Sequence, residues 1–206
     1  SRISPGVISM GQEISVTALQ LAMAYSAIAN GGYLLRPKIV QQIMGHNGKI
    51  MENNNSKVLR RVASLKTMKT LKNILVKTVK MGTGSSAEIP GRNIAGKTGT
   101  AEKFINGSYS ETKFISNFVG FFPAEKPILL GVILIDEPKS GFHWGSTGAA
   151  PVFRKVAERI INMDDSFQHK HEPKDNSHEN KLWASKKKRY FQKNPKSSLI
   201  QPSFKD

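Results

Sequence analysis

Residues 97–100 place a lysine and two threonines around one glycine, in the order Lys97-Thr98-Gly99-Thr100. The run predicts a short strand in which Lys97 supplies a positive charge. Thr98 and Thr100 are two residues apart, so on a strand they point to one face. Glycine inside a strand usually marks a place where another group approaches the backbone closely, and we expect Gly99 to leave the face open. Such a strand can bind an anion.

Composition limits the kinds of protein that can carry this strand. The chain has 206 residues, enough for one domain with a core, and no cysteine. The lack of cysteine excludes a disulfide scaffold, a cysteine zinc site and a thiol nucleophile. The net charge is +16, and residues 1–163 hold 21 basic and 9 acidic residues. Because the excess lies mainly outside the C-terminal segment, it predicts a cationic surface that faces an anionic ligand or polymer.

The beginning of the chain resembles neither a signal peptide nor a membrane span. No apolar run in the sequence approaches the length that crosses a bilayer. Residues 1–6 are loop-like, Ser-Arg-Ile-Ser-Pro-Gly. We expect the chain to be the C-terminal part of a longer protein.

Three segments have the patterns of helices. The Ala-rich run 14–30 contains a capping box in which Thr17 pairs with Gln20. Residues 64–81 form an amphipathic pattern with an apolar stripe and many lysines, and residues 151–163 form another. A basic amphipathic helix can lie on nucleic acid or a membrane, but this stripe is typical of a helix packed on a sheet with its lysines in solvent, and we interpret it so.

Three strands are predicted at 93–101, 115–122 and 128–135, with links short enough for antiparallel neighbours. The last is apolar on both faces, which predicts helices on both sides. A turn at His46-Asn47-Gly48 predicts a short hairpin between the first two helices. The fold class is therefore α+β, an antiparallel sheet covered by helices.

The apolar periodicity stops after residue 163. We predict a domain over residues 1–163 and a basic, disordered tail over residues 164–206. His169, His171 and His178 lie in this tail at irregular spacing, so we interpret them as solvated residues and expect no metal site.

Smaller polar patterns have less specific interpretations. Residues 82–86 resemble half of a phosphate loop, but they follow a helix and precede a strand, the reverse of a nucleotide site. Asp136 and Glu137 are adjacent at a strand end, so we expect them to point apart and remain solvated. The Gly-rich connection that holds His143 and Trp144 either lines a groove or is a packed loop.

Several sequence blocks together resemble a known family. They are Gly-Gln-Glu-Ile-Ser-Val-Thr at 11–17, Gly-Thr-Gly at 82–84, Ala-Gly-Lys-Thr-Gly-Thr-Ala at 95–101, Ile-Asp-Glu-Pro at 135–138 and Ala-Ala-Pro-Val-Phe at 149–153. Their order and spacing resemble the C-terminal part of the transpeptidase domain of class B penicillin-binding proteins. The first block is most similar to the division-specific FtsI type and its sporulation relatives. Lys-Thr-Gly is one of three motifs that this family shares with serine β-lactamases.

The resemblance implies a peptidoglycan D,D-transpeptidase. In that reaction a serine attacks the D-Ala-D-Ala end of a stem peptide, and β-lactams acylate the same serine. By motif, Lys97 orients the hydroxyl of a Ser-x-Asn element, and Thr98 and Thr100 bind the terminal carboxylate. The Thr100 N–H is an oxyanion-hole donor, and Gly99 admits the substrate backbone as an added strand. The family also implies no cofactor, an N-terminal anchor in the bacterial inner membrane, a domain facing the periplasm, and division proteins as partners.

The sequence departs from the family at the nucleophile. Neither Ser-x-x-Lys at a helix start nor Ser-x-Asn precedes Gly11. Ser-x-x-Lys occurs at Ser110, which we place in a loop, and at Ser185 in the tail, and we interpret both as chance matches. Covalent catalysis has no first step without a nucleophile and its base, so we expect this chain alone to form no penicillin adduct.

Two other functions stay open. A catalytically silent relative would serve as a scaffold in cell-wall assembly, and the sequence upstream of Ser1 decides between it and the enzyme. A nucleic-acid-binding protein is suggested by the charge of +16 and the basic tail. Few aromatic residues are interleaved with the basic ones to support nucleic-acid binding, and anionic wall polymers or phospholipid headgroups explain the charge as well.

Overall fold

The computed structural model describes residues 14–139, 141–164 and 167. All of them belong to the compact unit Ser1–Lys170. The elements are α1 (Ala18–Ala29), β1 (Tyr33–Leu35), β2 (Gln42–Met44), β3 (Ile50–Asn53), β4 (Val58–Arg61), α2 (Leu65–Met81), a 3₁₀ turn (Ser85–Ala87), β5 (Ala95–Ile105), β6 (Ser108–Phe122), β7 (Leu129–Asp136) and α3 (Ala149–Met163).

A three-stranded antiparallel sheet organises these elements, in the order β5-β6-β7. Strand β5 pairs with β6 so that Thr98 lies opposite Phe118 and Gly99 opposite Asn117. The predicted hairpin forms between β2 and β3, and β1 pairs with β4 in a second two-stranded sheet. Helices and antiparallel strands in this arrangement confirm the α+β class.

The starts of α1 and α3 are capped in different ways, the first by local sequence and the second by the sheet. The Thr17 side chain accepts a hydrogen bond from the Gln20 N–H, and the Gln20 side chain accepts one from the Thr17 N–H, which completes the capping box of α1. Helix α3 begins two residues before the predicted position, at Ala149. The Ala149 N–H donates to the Ser116 hydroxyl, so the sheet supplies the cap of α3.

Aromatic side chains join the sheet to the helices on both of its faces. Phe118 is fully buried, and its ring centroid lies 4.8 Å from that of Phe153 on α3. Phe121 packs on the opposite face with Leu75 of α2. Strand β7 contacts α1 and α3, as its apolar sequence predicted, although Leu134 remains 48% exposed. The core therefore fixes β6, the strand next to the candidate site.

The predicted tail, residues 164–206, lies outside the described residues except for Asp164 and Phe167. Phe167 is 2% exposed, and its ring centroid is 5.6 Å from that of Phe122. The core thus includes this residue beyond position 163. The boundary itself and the disorder stay predictions, as does the solvated state of the tail histidines.

Candidate active site

Strand β5 carries the Lys97–Thr100 run at the edge of the sheet. One side of β5 pairs with β6, and no described strand pairs with its other side. Gly96 lies opposite Gly120, where the ring of Phe118 fills the space that their side chains would take. A Cβ on Gly96 would lie 2.5 Å from Cζ of Phe118. The glycine before the lysine therefore lets a buried ring lie directly under the strand.

Lys97 is exposed overall, but its ammonium group lies against the protein. The Nζ atom donates a hydrogen bond to the Thr98 carbonyl oxygen over 2.8 Å. Burial lowers the pKa of Lys97 below its ordinary value, because a desolvated ammonium loses part of its hydration energy. A cation held in this way attracts an anion more strongly than a fully hydrated lysine does.

Thr98 and Thr100 lie on one face of β5, as predicted, since they pair with Phe118 and Ser116 on β6. Thr98 is 9% exposed. Its Oγ1 lies 2.8 Å from Oγ1 of Thr83, and either hydroxyl can be the donor. Thr98 is therefore held at its side chain by Thr83 and at its carbonyl by Lys97.

The hydroxyl of Thr100 has a different partner. Its Oγ1 accepts a hydrogen bond from the Gly145 N–H over 2.9 Å. A threonine hydroxyl has one proton to donate besides its acceptor lone pairs. The bond from Gly145 uses a lone pair, so it leaves the Thr100 proton for a further acceptor.

The prediction that Gly99 leaves an open face was wrong. A Cβ built on Gly99 would lie 2.4 Å from Oδ1 and 2.7 Å from Nδ2 of Asn117. The amide of the cross-strand neighbour Asn117 therefore fills the space that the glycine provides. The close approach predicted for this glycine is made by a side chain of the same sheet.

Comparison with known proteins places this arrangement in a family. A family model described as the penicillin-binding protein transpeptidase domain matches residues 2–158. The chain belongs to this family. Its relatives include the probable peptidoglycan D,D-transpeptidase PenA of Neisseria meningitidis, which is 32% identical over 162 residues, 78% of this chain and 26% of that protein. Stage V sporulation protein D of Bacillus subtilis is 35% identical over 155 residues, 75% of this chain and 24% of that protein.

Solved structures agree with the family assignment. The transpeptidase domain of penicillin-binding protein 3 from Burkholderia pseudomallei has a TM-score of 0.65 and 29% identity, covering 79% of this chain and 46% of that chain. Penicillin-binding protein A of M. tuberculosis, in a ceftriaxone acyl-enzyme complex, has a TM-score of 0.68 and 30% identity, covering 74% and 34%. These matches confirm the predicted class B transpeptidase type and fold. This chain spans about a quarter of the length of the curated relatives, 26% and 24%.

The transpeptidase strand has two neighbours whose roles the sequence did not predict. Thr83 lies in the Gly-Thr-Gly block and is 15 positions from Thr98 in sequence. Gly145 lies in the loop before α3, 45 positions from Thr100. The Gly-Thr-Gly block at 82–84 was the available signal for Thr83. No signal in the sequence marks Gly145.

Two polar predictions for the transpeptidase segment need correction. Asp136 and Glu137 remain exposed, as predicted, but they do not point apart, because both carboxylates form ion pairs with Lys103, each at 2.9 Å. The φ of Glu137 is +48°, which turns the chain at the end of β7. Ser110 lies in β6 and not in a loop, and its Oγ accepts hydrogen bonds from the Thr112 and Lys113 N–H groups.

The loop at 141–148 is packed and also borders a cavity. The His143 ring lies 4.9 Å from that of Phe114 and 4.9 Å from that of Trp144. His143 and Phe114 are among the residues around a cavity of about 480 Å³, whose lining includes none of residues 97–100. His143 therefore borders a cavity that residues 97–100 do not line.

Among the residues that the structure describes, no helix is long and apolar enough to cross a membrane. No group of three or more His, Asp or Glu side chains within those residues is placed to hold a metal ion.

Proposed function

We propose that this chain forms one wall of the active site of a peptidoglycan D,D-transpeptidase, which cross-links stem peptides through a serine acyl-enzyme and reacts with penicillin. The arrangement of Lys97, Thr98 and Thr100 on an edge strand carries this proposal. Lys97, whose ammonium group donates to the Thr98 carbonyl, and two held hydroxyls belong to one segment of a strand edge that no described strand covers. The family membership supports the same function.

Each group on β5 has a part in the proposed reaction. The hydroxyls of Thr98 and Thr100 bind the C-terminal carboxylate of the stem peptide, and Lys97 supplies the opposite charge. The free edge of β5 pairs with the extended peptide as an added strand. The N–H of Thr100 stabilises the oxyanion that forms on the carbonyl under attack. Recognition of a free carboxylate fits both a peptide ending in D-Ala-D-Ala and a penicillin.

The nucleophile of the proposed reaction belongs to sequence outside these 206 residues. Its hydroxyl gives its proton to a lysine base and attacks the carbonyl carbon of the penultimate D-Ala. The peptide C–N bond then breaks, and the terminal D-Ala takes a proton and leaves as a free amino acid. The amine of a second stem peptide attacks the resulting ester, which forms the cross-link and restores the serine hydroxyl.

The whole protein is proposed to work at the bacterial inner membrane. An N-terminal anchor outside this chain would hold it there, with the transpeptidase domain facing the periplasm and division proteins as partners. The proposed chemistry uses no metal or cofactor, because the serine ester carries the acyl group between the two amines.

Acylation of the whole protein by a fluorescent penicillin tests the function. We expect a covalent adduct and a fall of about a hundredfold in the second-order rate for Lys97→Met, since electrostatic groups at an acyl-transfer site commonly contribute this much. Lys103→Met is the matched control, because Lys103 lies on the same strand with its ammonium paired to Asp136 and Glu137. Equal rates for the wild type and Lys97→Met would overturn the proposal. A whole protein that forms no adduct would favour the silent scaffold.

A further inference from the structure

The end of α2 delivers a hydroxyl to strand β5. Thr83 follows the last residue of α2 by two positions, and its side chain reaches Thr98 of β5 over an O···O distance of 2.8 Å. Thr83 is exposed, whereas Thr98 is 9% exposed. A surface residue outside the Lys-Thr-Gly strand thus contacts a hydroxyl of that strand directly.

Backbone bonds hold the turn that carries Thr83. The N–H groups of Gly82 and Gly84 both donate to the carbonyl oxygen of Thr78, over 3.0 Å and 3.1 Å. A Cβ on Gly82 would lie 2.7 Å from the same oxygen, so this sharp turn requires a glycine. The turn is therefore fixed by main-chain groups on either side of Thr83. Removing the Thr83 hydroxyl leaves those two bonds in place.

The number of hydroxyl protons determines how many hydrogen bonds the Thr83–Thr98 pair can donate. Each hydroxyl has one proton, and one of the two protons lies between Thr83 and Thr98. The other proton remains available for an acceptor outside the pair. When Thr83 donates to Thr98, the Thr98 proton is free, and the bond that Thr98 accepts strengthens the one that it donates.

We propose that Thr83 is a positioning residue whose hydroxyl holds Thr98 so that the pair donates one proton to the carboxylate of the substrate. This inference rests on the proposed transpeptidase function, and it adds α2 to the elements that build the site. Thr98 would then be held from both sides, by Thr83 at its hydroxyl and by Lys97 at its carbonyl. Loss of Thr83 would weaken recognition of a charged carboxylate and leave the response to a neutral ligand unchanged.

The test compares acylation of the whole protein by a penicillin and by the methyl ester of the same penicillin. We expect Thr83→Val to lower the rate with the carboxylate form by about fivefold to tenfold, the loss of one hydrogen bond. The rate with the ester should not change. Thr83→Ser keeps the hydroxyl and should restore the rate. Thr70→Val removes another hydroxyl of α2, one bonded to the Lys66 carbonyl, and should change neither rate.

A double-mutant comparison shows whether Thr83 acts through Thr98. In a Thr98→Val background, Thr83→Val should have no further effect on the ratio of the two rates. An unchanged ratio for Thr83→Val in the wild-type background would overturn the inference. So would an equal loss with both ligands, or the same loss in both backgrounds. A Thr98→Val variant with the wild-type ratio would instead overturn the proposed function, and this inference with it.

Discussion

The N–H of Gly145 donates to the hydroxyl of Thr100 over 2.9 Å, which ties the loop before α3 to the candidate substrate-binding strand. The same glycine lies against the backbone of β5 and β6. A Cβ at this position would lie 2.5 Å from the Gly99 carbonyl oxygen and 2.6 Å from that of Asn117. Since both neighbours are main-chain atoms, the loop can approach the strand this closely only with glycine.

Gly145→Ala should therefore weaken both the fold and the site. The new methyl group must push the loop away from β5, which we expect to cost about 1–3 kcal/mol of unfolding free energy. The acylation rate should fall as well, because the Thr100 hydroxyl loses its donor. Urea unfolding and penicillin acylation of the whole protein measure the two effects. Ser146→Ala changes the adjacent residue and should preserve both. A Gly145→Ala variant with the stability and the acylation rate of the wild type would contradict the described packing.

Thr100→Val removes the acceptor of the Gly145 N–H without changing the shape of the side chain much. A buried donor left without a partner commonly costs about 1–3 kcal/mol, and Gly145 is buried. We expect a lower urea midpoint and slower acylation for Thr100→Val, and near-normal values for Thr100→Ser. If valine and serine behaved alike, the hydrogen bond would have no measurable role.

The pKa of Lys97 predicts how stability depends on pH. Burial lowers this pKa in the folded protein, so the unfolded chain binds more protons between the lowered value and the ordinary one. Stability should then rise with pH across this alkaline window and show no contribution from Lys97 to the slope below it. The measurement is the difference in unfolding free energy between the wild type and Lys97→Met at increasing pH, in which other titrating groups largely cancel. A difference that shifts against the wild type as pH rises would contradict the lowered pKa.

Gly96 and Phe118 should be energetically coupled. A methyl group on Gly96 would lie 2.5 Å from the Phe118 ring and 2.9 Å from the Val119 carbonyl oxygen. We expect Gly96→Ala to cost about 1–3 kcal/mol through overpacking. Phe118→Leu removes the ring and should reduce that cost in the double variant, although it opens a cavity of its own.

The unfolding free energies of the two single variants and the double variant measure this coupling. The sum of the single effects should exceed the effect of the double variant. Strict additivity would show that the ring and the glycine do not share the same space.

Local signals explain why much of the fold was predictable. The Thr17 and Ser64 side chains cap their helices by accepting hydrogen bonds from the backbone N–H groups of Gln20 and Thr67, three residues away, so a short stretch of sequence is enough to find them. The central parts of strands β5, β6 and β7 could likewise be predicted from short stretches of sequence. The α+β class followed from the order of these elements.

The length of the central hairpin was missed. Strand β5 runs to Ile105 and β6 begins at Ser108, well beyond the predicted ends. Asn106 and Gly107 form the tip with φ values of 53° and 87°, which suit the tight turns that Asn-Gly favours. The extension carries charged residues from position 102 onward and forms an exposed two-stranded ribbon. Its sequence therefore lacks the apolar pattern from which a strand is predicted.

The site was predictable only where one segment supplies it. Lys97, Thr98 and Thr100 lie within one four-residue run, and their strand follows from sequence. Their partners Thr83 and Gly145 reach the strand through tertiary packing, which no local spacing encodes. Asn117 is placed by strand register, so the space beside Gly99 was unknown until β6 was aligned with β5.

A crystal structure of the whole protein acylated with penicillin would show whether Thr98 and Thr100 bind the carboxylate. We expect the penicillin carboxylate to lie about 2.6–3.2 Å from the hydroxyls of Thr98 and Thr100, which is hydrogen-bond distance. The acylated serine should belong to a segment outside these 206 residues. A carboxylate bound elsewhere, with neither threonine hydroxyl within hydrogen-bond distance, would show that β5 does not bind the substrate carboxylate.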